Sequence, residues 1–228
     1  MTLRQRVTPT LSLVLRSLGP ERWLDESLFA VNWFNAKHPR IYTAYGILAA
    51  RDVFRVGGKI FFKGVVTETL VGDGRREVLL IVYYPSGRAF LDLVRGRFFQ
   101  LVSPLRMLAV RRFSFVFHRR HDGPARIEHK RQRFDRSKTY ALHHFRSDAP
   151  IENLAEEIRG SLPEGVRLHF LGEAAVDVAT DSRGKIRPMS YETHRLVVLE
   201  GDSDALRSHL RDSEFDSSSY VALLRREL

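Results

Sequence analysis

The hydrophobic and polar positions of the chain fall into two similar halves on either side of a polar stretch. That stretch, residues 119–137 (RRHDGPARIEHKRQRFDRS), is basic, contains a Gly-Pro pair and has no periodic apolar positions, so it predicts a linker. The pattern therefore divides the chain into an N-terminal extension over 1–27, a first unit over 28–118, the linker, and a second unit over 138–228. Within the extension, residues 10–18 have the spacing of an extra helix.

In the first unit, apolar runs of strand length alternate with segments of helical spacing. Strands are predicted over residues 28–35, 59–69, 78–84 and 112–118, where aromatic and β-branched residues are frequent. The helix after the first strand begins at Pro39 and ends before Gly57, and a turn is predicted at residues 72–74. Ser86 is placed to cap a second helix, which carries Phe90, Leu91 and Val94, and the helical spacing resumes to about residue 109, with a break or kink predicted at Pro104.

The second unit repeats the order of elements without repeating the residues. Strands are predicted over 139–145, 166–179, 193–199 and 218–225, and helices over 150–162 and 203–210. The order βαββαβ is typical of a ferredoxin-like unit, with a four-stranded antiparallel sheet and helices on one face. We predict an α+β protein of two tandem ferredoxin-like units. Their sheets should pack face to face, within the chain or across a dimer, because each open sheet face is too apolar to remain exposed.

The composition excludes several classes of chemistry. The chain has 228 residues and no cysteine, so it has no disulfide, thiolate metal site, cysteine nucleophile or iron–sulfur cluster. No apolar run approaches the roughly 18 residues of a transmembrane helix, and the apolar stretch near the N-terminus stops at Arg16, too early for a secretory signal. We therefore expect a cytoplasmic protein with no membrane partner.

Charge is distributed unevenly between the two units. Residues 1–118 carry a net charge of +10, the linker +4, and residues 138–228 a net charge of −4. A basic half can bind an anionic partner, but halves of opposite sign can also attract each other or a second copy. The sequence leaves both explanations open.

Three elements of the first unit resemble the dimeric α+β barrel superfamily. They are the glycine pair in residues 57–59 (GGK), the segment YYPSGRAF at residues 83–90, and the aromatic and arginine positions Phe98, Phe99 and Arg106. Within that superfamily, the first unit is similar to a small family of uncharacterised bacterial domains, whereas the second unit resembles the superfamily only in element order. The superfamily includes cofactor-less monooxygenases, haem-dependent enzymes and small-molecule-binding domains, so the resemblance implies a fold rather than one function.

The resemblance also implies candidate site residues. Monooxygenases of this superfamily that oxidise phenolic or polyketide rings without a cofactor are associated with Asn, Trp and Arg in a pocket. The corresponding residue types here are Asn32, Trp33 and Arg106, which are our catalytic candidates: Asn32 would donate a hydrogen bond, and Arg106 would hold an anionic oxygen. Alternatively, Trp33 belongs to the core and Asn32 caps a turn.

Further residues are predicted to bind the ligand. Arg88 is an alternative to Arg106 for the anionic oxygen, Tyr84 would wall the pocket together with Trp33, and Tyr45 is a further candidate.

Strand alternation adds charged residues to the predicted site. If side chains alternate strictly, Lys59, Phe61 and Lys63 share the open face of the first sheet with Arg112 and His118. These residues would form a pocket for an anionic or aromatic ligand. Alternatively, the charged side chains reach solvent at the rim of the barrel.

Two other kinds of function remain open at this stage. His143 and His194 are predicted to be cross-strand neighbours and are weak candidates for a metal or haem site, although no sequence motif requires a cofactor. Residues 28–33 (LFAVNW) and 111–118 (RRFSFVFH) partly match RNA-recognition signatures, but the second match lies on the fourth predicted strand rather than the third. The basic linker would also suit nucleic-acid phosphates.

The leading hypothesis is a small-molecule-binding protein or a cofactor-independent, monooxygenase-like enzyme. Its ligand would be hydrophobic or anionic, aromatic or polyketide-like for an enzyme, and held between sheet and helices. The expected partners are this ligand and a second copy of the chain in a homodimer. Nucleic-acid binding by the basic first half and linker is the alternative, and haem or metal binding is a further one. The sequence does not decide whether the protein is an enzyme.

Overall fold

Strands and helices alternate along both halves of the chain. The computed structural model describes residues 22–72, 76–123, 138–147, 149–175, 178–181, 186–188, 194–215 and 219–227. The helices are α1 (Arg22–Asp25), α2 (Pro39–Arg55), α3 (Gly87–Arg95), α4 (Arg97–Ala109), α5 (Ile151–Ser161) and α6 (Ser203–Asp212). None of the helices in this described part of the chain is both long and apolar enough to cross a membrane.

The strands of the first half are β1 (Leu28–Ala36), β2 (Lys59–Val71), β3 (Val78–Tyr84) and β4 (Val110–Arg120). Those of the second half are β5 (Thr139–Phe145), β6 (Arg167–Ala174), β7 (Val178–Asp181), β8 (Ile186–Pro188), β9 (Arg195–Gly201) and β10 (Tyr220–Arg226). The predicted helix over 10–18, most of the turn over 72–74 and most of the predicted linker lie outside the described residues.

Eight of these strands close into one antiparallel barrel. The order within the first half is β4-β1-β3-β2, and the order within the second half is β10-β5-β9-β6. Because β2 pairs with β10 and β4 pairs with β6, each half is joined to the other at both edges. The sequence left open whether the two sheets meet within the chain or across a dimer. The structure decides this point, because their edges bond to each other within the single chain, and β8 is the outer strand of the sheet.

Large side chains fill the inside of the barrel. The ring of Phe29 lies 5.4 Å from that of Phe61 and 5.3 Å from that of Phe170, measured between centroids. Trp33 and Tyr140 belong to the same buried cluster. Helices α2, α3 and α4 cover the outside of the first half, and α5 and α6 cover the second. The barrel is therefore a packed core and not a channel.

Several element boundaries differ from the sequence prediction. The break between α3 and α4 lies at Gly96, which has an extended backbone, whereas Pro104 lies inside α4. The long strand predicted over 166–179 is two strands, because β6 ends at Ala174 and β7 forms a hairpin with β8 that pairs with β4. β4 continues to Arg120, so the predicted linker begins with two strand residues.

Local irregularities change which side chains face the interior. In β2 the register shifts between Ile60 and Phe62, and both Phe61 and Phe62 enter the barrel core. Strict alternation, which placed these two rings on opposite faces, is therefore wrong here. In β4, Arg112 has a φ of 50° and an exposed side chain, so it does not share the interior with His118.

The start of α3 is capped as predicted. Ser86 has an extended backbone, and its hydroxyl accepts a hydrogen bond of 3.2 Å from the backbone N–H of Ala89. Ser86→Ala removes that acceptor, so we expect the free energy of unfolding to fall by about 1 kcal/mol. Urea unfolding measures the change. Ser86→Asp keeps an acceptor and should unfold close to the wild type; an equal loss in both variants would contradict the capping role.

Candidate functional site

Four of the predicted site residues lie on the helix-covered face of the first half. Asn32 is buried on β1, and its amide donates to main-chain carbonyl oxygens of β1 and β3 at 3.0 and 3.3 Å. Tyr84 is buried at the end of β3. Tyr45 lies on α2 and Arg106 on α4, two helices that pack against each other. The structure thus places these residues in the layer between sheet and helices.

The positive charge of Arg106 lowers the pKa values of the tyrosines in this layer. Burial raises the pKa of Tyr42, Tyr45 and Tyr84 above its usual value, and the charge of Arg106 opposes this rise in each case. The guanidinium also lies over the ring of Phe113, 4.7 Å from its centroid. The three hydroxyls therefore remain protonated at neutral pH, and together with a guanidinium they supply hydrogen-bond donors on one side of the sheet.

Trp33 lies on the other side of the sheet from Asn32 and Arg106. Its indole is in the barrel core, and its Nε1–H donates to Nε2 of His144 at 2.5 Å. His144 is fully buried, and burial together with the charge of His118 lowers its pKa well below the usual value. The neutral ring can accept the indole hydrogen bond. The structure therefore does not bring the three catalytic candidates together at one point.

The remaining predicted ligand-binding residues lie apart from one another. Arg88 pairs on the surface with the aspartate that ends α1, at 2.8 Å. Lys59 is 6.0 Å from the ring centroid of Tyr83, and Lys63 pairs with a glutamate near the C-terminus at 2.6 Å. His118 is fully buried in the barrel wall. These positions form no common pocket, and the binding roles of the four residues remain predictions.

The aromatic residues of β4 are not available for base stacking. Phe113, Phe115 and Phe117 pack beneath the helices of the first half. Phe90 of α3 stacks on Phe115 with centroids 5.7 Å apart and meets Phe117 edge-on at 4.8 Å. RNA-recognition motifs use such rings as a platform on which bases stack. Core packing therefore accounts for the partial RNA signature over residues 111–118.

The predicted histidine pair of the second half does not form. The pairing of β5 with β9 places His143 opposite Val197, and His194 lies just before β9. The ring of His143 instead bonds with the hydroxyl of Ser219 at 3.0 Å. The prediction is wrong because β9 starts later than expected and runs on to Gly201. Across the part of the chain that the structure describes, no three metal-ligating side chains converge.

A polar cluster that the sequence analysis missed lies at the barrel end where β5 starts and β9 ends. Nδ1 of His169 is 3.3 Å from one carboxylate oxygen of Glu200, and the other oxygen accepts from Arg167 at 2.7 Å. The hydroxyl of Tyr140 accepts from Arg226 at 3.3 Å. His169 and Glu200 are 8% and 7% exposed. The register of β5, β9 and β6 brings these residues together, so no local sequence signal reveals them.

The cluster holds an ionised carboxylate beside a neutral imidazole. Burial alone would raise the pKa of Glu200, but hydrogen bonds from His169 and Arg167 lower it to about 2. Burial lowers the pKa of His169, and the hydrogen bond to Glu200 offsets this only in part. At neutral pH the pair is therefore a charged glutamate and an uncharged histidine.

Two surface hollows lie near charged residues. The smaller, of about 300 Å³, is lined by Lys138, Gly165, Arg167, Glu200 and Gly201. The larger and more open one, of about 650 Å³, lies over the start of α3 and is lined in part by Arg55, Arg88 and Arg95. The smaller hollow adjoins the barrel-end cluster through Glu200, and its volume is at the lower limit of small-molecule sites.

Comparison with known proteins gives similar solved structures of low sequence identity. No family model and no curated protein matches the chain. Among solved structures, a protein of unknown function from Rhodopseudomonas palustris is 21% identical over 46% of this chain and 89% of its own, with a TM-score of 0.42. A candidate monooxygenase from Lactobacillus acidophilus is 9% identical over 88% and 94%, with a TM-score of 0.49. A haem-binding protein from Thermus thermophilus is 11% identical over 89% and 92%, with a TM-score of 0.40.

The architecture itself defines the class of protein. A closed barrel of eight antiparallel strands, with helices outside and the same strand order in both halves, is the arrangement of the dimeric α+β barrels. The resemblance stated from the sequence is thereby confirmed at the level of fold. A fold of this kind does not by itself select one activity.

Proposed function

We propose that the protein binds a small aromatic or polyketide-like molecule with an anionic oxygen, between the sheet and helices of its first half. The observation that carries this proposal is the position of Arg106, 4.7 Å from the ring centroid of Phe113, on a helix that packs against the helix of the buried Tyr45 and the partly buried Tyr42. Its charge also opposes the raised pKa values of Tyr42, Tyr45 and Tyr84. Neutral phenols and a guanidinium all donate hydrogen bonds, and donors of this kind suit a negatively charged ligand oxygen.

Aromatic and apolar side chains surround these donors. Tyr45 belongs to a cluster with Val102, against which Phe98 and Phe99 of α4 pack. Tyr84 meets a phenylalanine of α3 edge-on with centroids 5.3 Å apart. These surroundings support an aromatic ligand, because the faces and edges of rings attract one another.

The proposed roles follow from these positions. Arg106 pairs with the anionic oxygen and Tyr84 forms one wall, whereas the amide of Asn32 donates to main-chain carbonyl oxygens of β1 and β3 and positions these strands. For an enzyme, the cofactor-independent step would be an oxidation of the ring by dissolved O₂, with one oxygen atom entering the product and the other leaving as water, or a rearrangement, while Arg106 stabilises negative charge that develops on the oxygen. Trp33 is left out of these contacts because it lies in the barrel core. Mass spectrometry of the aromatic compound, incubated with the protein under air, tests for turnover.

Three further expectations belong with this proposal. Each half is proposed to be a ferredoxin-like unit, an assignment that the orders β4-β1-β3-β2 and β10-β5-β9-β6 support. Association of two copies into a homodimer and a cytoplasmic location remain predictions.

Titration with salicylate, an aromatic anion, tests the proposed site. We expect Arg106→Gln to weaken salicylate binding by about tenfold or more, because a hydrogen bond to a charged group contributes about 1.5–3 kcal/mol. Arg97→Gln removes an exposed positive charge from the same helix and is the matched control, expected to bind like the wild type. Unchanged binding in Arg106→Gln, or equal weakening in the control, would contradict the proposal.

Native mass spectrometry of the freshly purified protein, after a high-salt wash, tests what the protein carries. A retained small mass would support the pocket. An absorbance spectrum of the same sample is recorded before and after the wash. Excess absorbance at the nucleic-acid wavelength that disappears in the wash would favour the basic residues as a nucleic-acid site, because such binding depends steeply on salt.

A further inference from the structure

The hydrogen-bonding registers make the two halves of the barrel equivalent position by position. Phe29 on β1 lies opposite Tyr83 on β3, one residue in from the end of the strand pair. Tyr140 on β5 lies opposite Glu200 on β9 in the same place. Tyr140 therefore occupies the position of Phe29, and Glu200 occupies the position of Tyr83.

The second strand of each half extends this equivalence. Gly64 on β2 lies opposite Arg226, and Gly172 on β6 lies opposite Arg120, so each half places an arginine across from a glycine. Both strands also have a register shift just before the phenylalanine that precedes the glycine by two residues. Counting back three residues from each glycine makes His169 the equivalent of Phe61.

One side of this barrel end is aromatic and its equivalent is polar. The aromatic set is Phe29, Phe61 and Tyr83, and the polar set is Tyr140, His169 and Glu200. The aromatic set packs well, with the ring of Phe29 5.4 and 5.3 Å from those of Phe61 and Tyr83. Burying a carboxylate and an imidazole costs free energy that burying aromatic rings does not. Aromatic residues at these positions are therefore compatible with the fold. A requirement for stability does not explain why the second half has polar residues there.

The protonation state of the polar set leaves one buried atom, Nε2 of His169, able to accept a hydrogen bond. The ionised carboxylate of Glu200 can only accept, so the proton of the neutral imidazole must be on Nδ1 of His169. Nε2 then carries a lone pair. Among the residues that the structure describes, this buried atom has no hydrogen-bond partner. An unsatisfied buried acceptor of this kind requires an explanation, and a ligand that donates to it is one.

Two guanidinium groups lie around the same ring. Arg226 stacks over the ring of Phe62 at 5.3 Å, and Arg120 stacks over that of Phe61 at 5.1 Å. The ring of His169 lies 5.4 and 5.7 Å from these two phenylalanine rings. The positive charges of both arginines lower the pKa of His169. An atom that donates a proton to Nε2 would thus be left negatively charged close to Arg226 and to Arg120, which itself pairs with Asp122 at 2.6 Å.

We propose that this end of the barrel binds a small molecule with a weakly acidic hydroxyl, a phenol or an enol. The hydroxyl donates to Nε2 of His169, its proton moves to that nitrogen, and the electron pair of the broken O–H bond stays on the oxygen, next to Arg226 and Arg120. Glu200 holds the ring in the required tautomer and balances the charge of the imidazolium that forms. The hollow lined by Glu200 and Arg167, although not by His169 itself, opens beside the cluster and would hold the rest of the molecule.

The probe for this site is 4-nitrophenol, because its absorbance distinguishes the phenol from the phenolate. We expect the wild-type protein to bind it as the phenolate at a pH where the free compound is mostly protonated. 4-Nitroanisole, which has no acidic proton, should bind at least about tenfold more weakly. The titratable or charged groups that face the imidazole are Glu200, Tyr140, Arg226 and Arg120, and the titration is therefore run in wild type and variants across the same pH range.

Replacing polar residues of the second half by the equivalent aromatic residues of the first half separates an effect on binding from an effect on folding. His169→Phe combined with Glu200→Tyr copies the residues at positions 61 and 83 and leaves no buried carboxylate without its partner, so its urea midpoint should equal or exceed that of the wild type while the phenolate signal is lost. Glu200→Gln keeps the size of the side chain but no longer fixes the proton on Nδ1, so the phenolate signal should fall without loss of the fold. A large drop of the urea midpoint in both variants would show that the cluster is structural and overturn the proposal.

The same titration separates this site from the one around Arg106. Loss of 4-nitrophenol binding in His169→Phe combined with Glu200→Tyr, but not in Arg106→Gln, supports the barrel-end site. Loss in Arg106→Gln alone overturns this inference and leaves the proposed function intact. An absence of 4-nitrophenol binding by the wild type also overturns it, whatever the result with salicylate.

Discussion

Replacing Trp33 with alanine is expected to lower the free energy of unfolding by about 4 kcal/mol, the largest loss we predict for a single substitution. The indole is 1% exposed, and its ring lies 5.3 Å from that of His144 and 5.8 Å from that of Tyr220. Alanine would leave a cavity among these rings and remove the N–H that Nε2 of His144 accepts. Urea unfolding followed by circular dichroism measures the loss, with the m value unchanged.

Trp33→Phe separates packing from hydrogen bonding at this position. Phenylalanine retains much of the ring but has no N–H, so we expect an intermediate loss of about 2 kcal/mol. Phe54→Ala is a control on the surface, where the side chain is 58% exposed and its removal should cost less than about 0.5 kcal/mol. If Trp33→Ala unfolded within about 1 kcal/mol of the wild type, the interior could not be packed around the indole as described.

Acidification is expected to destabilise the protein as the pH falls below about 6.5. Burial lowers the pKa of the fully buried His144 well below its usual value, and the charges of His118, Arg76 and His143 add to this effect. Because the pKa is lower in the folded state, the unfolded chain takes up the proton first. Stability is therefore complete above about pH 6.5 and is lost as the pH falls towards the folded-state pKa, by up to about 1.4 kcal/mol per pH unit.

His144→Gln tests this assignment. Glutamine can still accept from the indole N–H of Trp33 but does not titrate, so stability should depend less steeply on pH between about 6.5 and 5. The pKa of His169 is also lowered, mainly by burial, so part of the acid sensitivity should remain. His38→Gln, at an exposed position, is the matched control. Equal slopes for His144→Gln and the wild type would contradict a role for this histidine.

Local elements of the fold could be predicted because their signals lie within a few residues. The strands Val78–Tyr84 and Thr139–Phe145 have the predicted bounds, and Ser86 caps α3 as expected. The helix does not end at Pro104, which lies inside α4, and the chain leaves helical geometry at Gly96, where the backbone is extended.

Site residues were predictable only where they share a face through local periodicity. Tyr45 and Arg106 lie on helices packed over the sheet, and Tyr84 ends a strand beneath them, so their common layer follows from helix and strand patterns. The bulge near Phe62 could not be read from the sequence, because it arises in the pairing with a neighbouring strand. Glu200 was not predicted for the same reason: it meets His169 only through the pairing of β9 with β6.

The sequence by itself determined most of the strands and helices in both halves and the class of fold, but not the β7–β8 hairpin. It could do so because apolar periodicity, caps and turn residues act over a few positions. Only the tertiary structure decided that the two sheets close into one barrel within the chain, and that Trp33 lies in that barrel while Arg106 lies outside it. It alone brought Tyr140, His169 and Glu200 together, because long-range register depends on the partner strands and not on local pattern.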